Sequence, residues 1–203
     1  MGSGEFWIVA GPNGAGKSTI VSRIDIRREL GQLKILNPDV LAQKLLRESP
    51  GTAEDKANLD AVVQMEAEVA RCIESGESVL IETVLSTRKY EKHILRAREL
   101  GRYVGLIYVA LASAEQAIQR VQHRRAMGGH DVPEEKIRSR WRRSLDNLAH
   151  FTPLVDRLLV YSNASDKGDA TLIAQKRKGA VEVHDADALP EITQRLRALQ
   201  SSI

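Results

Sequence analysis

Residues 6–20 read Phe6-Trp7-Ile8-Val9-Ala10-Gly11-Pro12-Asn13-Gly14-Ala15-Gly16-Lys17-Ser18-Thr19-Ile20. An apolar run turns Gly-rich and ends in Gly-Lys-Ser, so Gly11, Gly16, Lys17 and Ser18 hold the fixed positions of G-x-x-x-x-G-K-[ST]. The order of residue types has a physical reason. A buried strand delivers the loop, and its glycines let backbone N–H groups turn inward around phosphate oxygens. The helix that follows presents its positive N-terminal end to the same anion. Gly11, Pro12, Asn13, Gly14, Ala15, Gly16, Lys17, Ser18 and Thr19 are therefore read as the cradle of a nucleoside triphosphate, ATP. Lys17 reaches the β- and γ-phosphates, and the Ser18 hydroxyl is the expected ligand of Mg²⁺. The rival reading is a strand-to-helix turn that binds nothing.

The next apolar segment, Lys34-Ile35-Leu36-Asn37, gives way to Pro38-Asp39. Pro38 suits the first turn of a helix, where its missing N–H is not needed. Asp39 then lies just past the C-terminal edge of a strand, where open α/β sheets bind ligands. A plain helix-start carboxylate is the alternative. Thr52 is expected to cap a helix running to about Ser75, with Leu59, Val62, Val63, Glu66, Val69, Ala70 and Ile73 as its inward stripe and Gly76 as its stop. Cys72, the single cysteine, reads as a small core residue within it.

Ser78-Val79-Leu80-Ile81-Glu82-Thr83 is apolar until it ends in a carboxylate. Glu82 is costly to bury there unless it meets a cation or a donor, which Mg²⁺-bound water or a substrate hydroxyl would supply. Residues 86–100 read as a helix stopped by Gly101, and Tyr103 to Leu111 as a central strand. Ser113 and Gln116 form a capping-box start. Two Arg-bearing helices then flank Gly128-Gly129-His130-Asp131-Val132-Pro133, which reads as a hinged flap over a phosphate site. Arg120, Arg124 and Arg140 are its candidate charge-spreading residues, and His130 either touches substrate or is merely solvated. Arg157 to Asn163 is a fifth strand; Asn163 donates to an adenine edge or caps a turn. Residues 171–175 and 180–184 form a hairpin, and a last helix ends near Leu199.

Strands alternating with helices imply a mostly parallel sheet covered on both faces, with a C-terminal β-hairpin. The chain of 203 residues, 42% hydrophobic and 28% charged, suits one soluble domain over 1–203, with the flap at 118–145 and the hairpin and last helix within 165–203. No run approaches a membrane span and no secretory signal precedes the first strand, so the expected location is cytoplasmic. Aromatic residues are only 4%, which disfavours single-strand nucleic-acid stacking and with it the reading as a nucleic-acid-binding ATPase. A non-catalytic ATP switch is a further rival. Against it, Asp39 as acceptor of a hydroxyl proton and the flap arginines together meet the needs of phosphoryl transfer, pointing to a small-molecule kinase.

The chain resembles the zeta-toxin family of P-loop kinases. The resemblance rests on the Gly-Pro-Asn-Gly-Ala-Gly-Lys-Ser-Thr loop, on Asn37-Pro38-Asp39, and on residues 81–86, Ile-Glu-Thr-Val-Leu-Ser. It continues through Arg120-Val121, Arg124, Gly128 to Pro133, Ile137, Arg140, Arg143-Ser144 and Tyr161-Ser162-Asn163. It implies a three-layer P-loop NTPase sheet like that of nucleoside-monophosphate kinases. It also implies ATP-dependent phosphorylation of UDP-N-acetylglucosamine at its 3′-hydroxyl. In that reading Asp39 is the base, Lys17 holds the ATP phosphates, Glu82 and Thr83 line the sugar-nucleotide pocket, and the flap arginines stabilise transfer. Some relatives pair with a small antitoxin that blocks the nucleotide site, so such a partner is implied too. Where founding toxins carry an Arg shortly after the Glu-Thr pair, this chain has Ser86, with Arg88 further on, and a kinase of another small metabolite, such as a sugar acid or an antibiotic hydroxyl, is the nearest rival reading.

Overall fold

The structure, a computed structural model, describes residues 4–23, 26, 30, 33–49, 51–128, 132–165 and 169–200. Five strands run parallel: β1 (Glu5–Ala10), β2 (Lys34–Leu36), β3 (Val79–Thr83), β4 (Tyr103–Ala110) and β5 (Arg157–Ser162). The antiparallel pair β6 (Thr171–Arg177) and β7 (Ala180–Val183) extends the same sheet beyond β5 as the expected hairpin. Across the sheet the order is β2-β3-β1-β4-β5-β6-β7. The chain leaves β1 toward one edge to form β2 and β3, then crosses to the other side for β4. The C-terminal end of β1 is thus the switch point, where adjacent connections diverge and a crevice opens.

The described helices are α1 (Lys17–Val21), α2 (Pro38–Glu48), α3 (Glu54–Ser75), α4 (Glu91–Glu99), α5 (Ala114–Ala126), α6 (Glu134–Phe151) and α7 (Pro190–Gln200). Strand period two divides the apolar residues between the two faces of the sheet. Phe6, Ile8, Ala10, Leu106 and Tyr108 face a core built with α3, α4, α7 and the C-terminal half of α6. Trp7, Val9, Ile107 and Val109 face a second core with Ile20, Val21, Ile26 and Leu30, and with Ala117, Ile118 and Val121 of α5. Trp7 lies flat over its register partner Gly105; a Cβ there would come within 2.3 Å of the ring, so only glycine leaves room for the indole.

Three expectations about elements need correction. Thr52 does not cap α3: Ala53 holds that position in an extended conformation, without a side-chain bond. The inward stripe of α3 is Ala57, Ala61, Met65, Val69, Cys72 and Ile73, whereas Leu59 and Val63 are exposed. Met65, Val69, Cys72 and Ile73 join the core against the sheet, and α3 also packs along α2, so two partners set its phase. Finally, α4 begins at Glu91; residues 87–90 form bends and turns. Among the described residues no helix is long and apolar enough to cross a membrane.

Candidate functional site

The C-terminal ends of β1, β3, β4 and β5 share one rim. Register sets Val9 beside Glu82 and Ala10 beside Thr83, so β3 ends level with the start of the loop at Gly11. The loop itself is shaped by conformation. Gly11 has φ 144°, and a Cβ there would sit 2.1 Å from the Val109 carbonyl oxygen of the adjacent strand. Gly16 has φ 84°, and its Cβ would meet Asn163 Nδ2 at 2.8 Å. Backbone this close to its neighbours explains the two fixed glycines.

Lys17 Nζ donates to the carbonyls of Gly11 and Pro12, both at 3.1 Å, folding the ammonium across the mouth of its own loop. Ser18 Oγ lies 2.9 Å and 3.0 Å from the two oxygens of Glu82 and donates to that carboxylate. Asn37 Nδ2 donates to Glu82 Oε2 at 2.8 Å. The Glu82 carboxylate therefore joins the phosphate loop on one side to the end of β2 on the other. Asn37 also caps α2, its Oδ1 accepting from the Val40 N–H at 3.4 Å. Asp39 is the second residue of that helix, so its backbone stands at the same rim as Lys17, two strands away along the sheet.

A hydroxyl and a carboxylate at this distance form a hard-oxygen pair of the kind Mg²⁺ takes, with waters and phosphate oxygens completing its six positions. The donors present therefore fit the metal expected at Ser18.

Asn163 follows β5. Its backbone N–H donates to the Ala110 carbonyl at 2.9 Å, and its side-chain Nδ2 donates to the Ala15 carbonyl at 2.8 Å. The amide thus braces the phosphate loop from beneath. Gln116 Nε2 ties the next residue, Ala164, to α5 at 2.6 Å, while Gln116 N–H bonds Ser113 Oγ, the expected helix start.

The candidate arginines separate. Arg120 on α5 has its Cβ 3.0 Å from where a Cβ of Gly14 would stand, and its Nη2 donates to the Ser165 carbonyl at 3.3 Å. It packs against the loop directly. Arg124 lies one turn further along the same helix and is exposed. Arg140 is half-buried on α6, a helix with an unusual course. Its Ile137 packs in the core with Val109 and Val121, but its Leu145, Leu148 and Phe151 pack in the opposite core. Helix α6 therefore crosses the rim from one face to the other, and Arg140 sits at the crossing, on the stripe that runs from Ile137 to Ser144. Arg138 instead pairs with Glu115, and Arg143 Nε bonds the Ser139 carbonyl of its own helix. His130 lies outside the described residues.

One layer of the site gave no signal in the sequence. Thr83 Oγ1 accepts from the Leu85 N–H at 3.1 Å, and Leu85 takes φ 59°, a left-handed conformation unusual for a branched side chain. Ser144 Oγ bonds the Val84 carbonyl at 2.7 Å, and Asn147 Nδ2 bonds the Leu85 carbonyl at 2.8 Å. Ser144 falls within the resembling positions but carries no chemistry that spacing reveals, and Asn147 reads as an ordinary helix residue.

A family model described as Zeta toxin matches residues 4–187. A chain of the AvrRxo1-ORF1:AvrRxo1-ORF2 complex with sulphate ions superposes with a TM-score of 0.71 at 20% identity, over 94% of this chain and 64% of that one. This chain thus spans less than two thirds of that protein's length. The same complex with ATP gives the same TM-score and identity. A protein of the PezAT chromosomal toxin–antitoxin system of Streptococcus pneumoniae gives 0.65 at 18% identity, over 99% of this chain and 86% of that one. In sequence, an uncharacterized protein of Haemophilus influenzae is 26% identical over 131 residues, 64% of this chain and 88% of its own.

Proposed function

The chain belongs to the zeta-toxin family, and on that premise we propose that it is an ATP-dependent kinase that moves the γ-phosphoryl of ATP to a hydroxyl of a small substrate. The observation that carries this reading is the Glu82 carboxylate, held from one side by Ser18 and from the other by Asn37. It fastens the phosphate loop to the helix that begins Pro38-Asp39. A nucleotide switch needs the loop alone, whereas a transferase needs the acceptor's base held in register with it.

In this mechanism Lys17 swings from the Gly11 and Pro12 carbonyls onto the β- and γ-phosphates, a side-chain rotation that leaves the loop in place. Ser18, itself bonded to Glu82, would hold Mg²⁺, which when bound would neutralise phosphate charge. Asp39 accepts the proton of the attacking hydroxyl. Thr83 and Glu82 line the acceptor side. Arg120, beside the loop, Arg124, one turn on, and Arg140, at the rim crossing, spread the charge of the moving phosphoryl. His130 would contact the acceptor.

For the acceptor we propose the 3′-hydroxyl of UDP-N-acetylglucosamine. A small antitoxin partner belongs to the same reading, because the Streptococcus pneumoniae relative comes from a toxin–antitoxin system. Co-expression with the product of the neighbouring reading frame tests it: a chain that purifies alone and fully active would remove the partner.

The deciding experiment couples ADP release to a panel of hydroxyl-bearing metabolites that includes UDP-N-acetylglucosamine, with the product identified by mass. Asp39→Asn is expected to lower kcat by about a hundredfold to ten-thousandfold with ATP affinity unchanged. Full transfer rates in that variant would remove Asp39 from the mechanism.

A further inference from the structure

We propose that Ser144 and Asn147, with Tyr108 behind them, are positioning residues that hold the turn at Thr83-Val84-Leu85 and so aim the acceptor side of the site. This rests on the kinase reading above and assigns one part of it, the placement of the substrate.

Ser144 is fully buried and has one hydroxyl proton, which points at the Val84 carbonyl 2.7 Å away. The Tyr108 hydroxyl lies 2.9 Å from the same Ser144 oxygen and is itself in a fully buried residue. Since Ser144 has used its proton, Tyr108 must donate. Burial pushes the Tyr108 phenol upward from its usual range, which keeps that proton in place at any physiological pH. The result is a directed chain: Tyr108 O–H to Ser144 Oγ, Ser144 O–H to the Val84 carbonyl. One helical step further, at i+3, the Asn147 amide donates to the Leu85 carbonyl.

Two consecutive carbonyls of the turn are thus clamped from one face of α6, while the Leu85 N–H is closed onto Thr83 Oγ1. The Leu85 side chain is buried in the core alongside Leu145 and Leu148. A left-handed φ at a leucine persists only where its surroundings over-determine it, and here three hydrogen bonds and an apolar anchor do so. The residues immediately before the clamped turn are Glu82 and Thr83. The turn fixes the direction in which β3 delivers those two side chains to the rim. The same stripe of α6 carries Arg140 one turn before Ser144, so one rigid helix sets both the cation proposed over the phosphoryl and the turn proposed under the acceptor.

The test uses the full chain in two variants, Asn147→Asp, which keeps shape and loses the donor, and the double change Ser144→Ala with Tyr108→Phe, which removes the hydroxyl chain without stranding the phenol. Three quantities are read: kinetics against ATP and against the acceptor, ADP affinity by direct titration, and amide exchange of the peptides covering 83–88 and 11–19. The expected result is a fall of about a hundredfold in kcat/KM for the acceptor, as displaced positioning groups give, with ADP affinity unchanged and faster exchange confined to 83–88. Unchanged acceptor kinetics would overturn the proposal. So would loss of ADP affinity in step with acceptor kinetics, because that marks general loosening. If the wild-type chain phosphorylates no hydroxyl at all, the kinase reading has failed. Exchange and ADP affinity then decide the clamp alone: faster exchange limited to 83–88 sustains it, and unchanged exchange ends it.

Discussion

Lys17 and Asn163 both touch the phosphate loop, but they act on different things. The Lys17 ammonium bonds two carbonyls of its own loop and contributes nothing to either core. Its removal should leave the fold intact and remove a charge that exists to meet phosphate. Lys17→Ala is therefore expected to cut turnover by about a hundredfold to a thousandfold, the usual cost of losing one preorganised charge-stabilising donor, with the melting temperature nearly unchanged. A variant that unfolds would show that the lysine serves the core instead. Asn163 reaches the loop from beneath, through Ala15. Asn163→Ala removes one hydrogen bond, about 1 kcal/mol, and should weaken ADP binding by about fivefold while kcat at saturating ATP holds. Isothermal titration checks this; unchanged ADP affinity would mean that the loop keeps its shape without the brace. The lysine was legible in the sequence because its partners are local. The amide's role was not, because its partner is a backbone carbonyl 148 positions away in the chain.

At the scale of elements, the edge strand β2 is three residues long, and its Lys34 and Ile35 are exposed. Charged contacts add to its ladder with β3: Lys34 pairs with Glu68 of α3, which also receives Nε and Nη2 of Arg71 at 2.9 Å and 2.8 Å. The Arg71 hydrogen bonds first, and Lys34 second, hold the Glu68 carboxyl down at about 2. A carboxyl depressed on folding contributes its stability above its ordinary value of 4.5 and loses it as pH falls toward about 2. The cluster is solvent-facing, so the contribution is only about 0.2–1 kcal/mol. Denaturant melts should show wild type ahead of Glu68→Gln at pH 7, with the gap closing between pH 4.5 and 2. A gap that persists in acid would assign the difference to packing. Element type was readable along the chain because apolar runs and glycine stops are local signals. Phase was not. On α3 the larger Leu59 and Val63 suggested one stripe, yet they are exposed while Ala57, Ala61 and Met65 are buried, because the phase of the helix is set by packing against both the sheet and α2 and not by side-chain size. Likewise α4 starts only at Glu91 because residues 87–90 bend and turn before it, with no glycine or proline among them to mark the break.

Across the whole molecule, parallel β1, β3 and β4 bring residues far apart in sequence to one rim, and that convergence follows from strand–helix alternation alone. What alternation cannot supply is how the parts of the rim communicate. The structure offers two bridges: α6, which passes from one core to the other, and the Glu82 carboxylate, which bonds both Ser18 and Asn37. The second bridge makes a prediction that neither half of the site makes by itself. Nucleotide that orders the loop at 11–19 should also slow amide exchange at 37–42, because Ser18 and the cap of α2 share one carboxylate. The hairpin at 171–183, which makes none of these bonds, should stay unaffected. Glu82→Ala removes the shared partner. At saturating ADP, exchange should still slow at 11–19 in that variant but no longer at 37–42. Retained protection of 37–42 would mean that the coupling runs through the β1–β3 ladder and not through the side chain at its end.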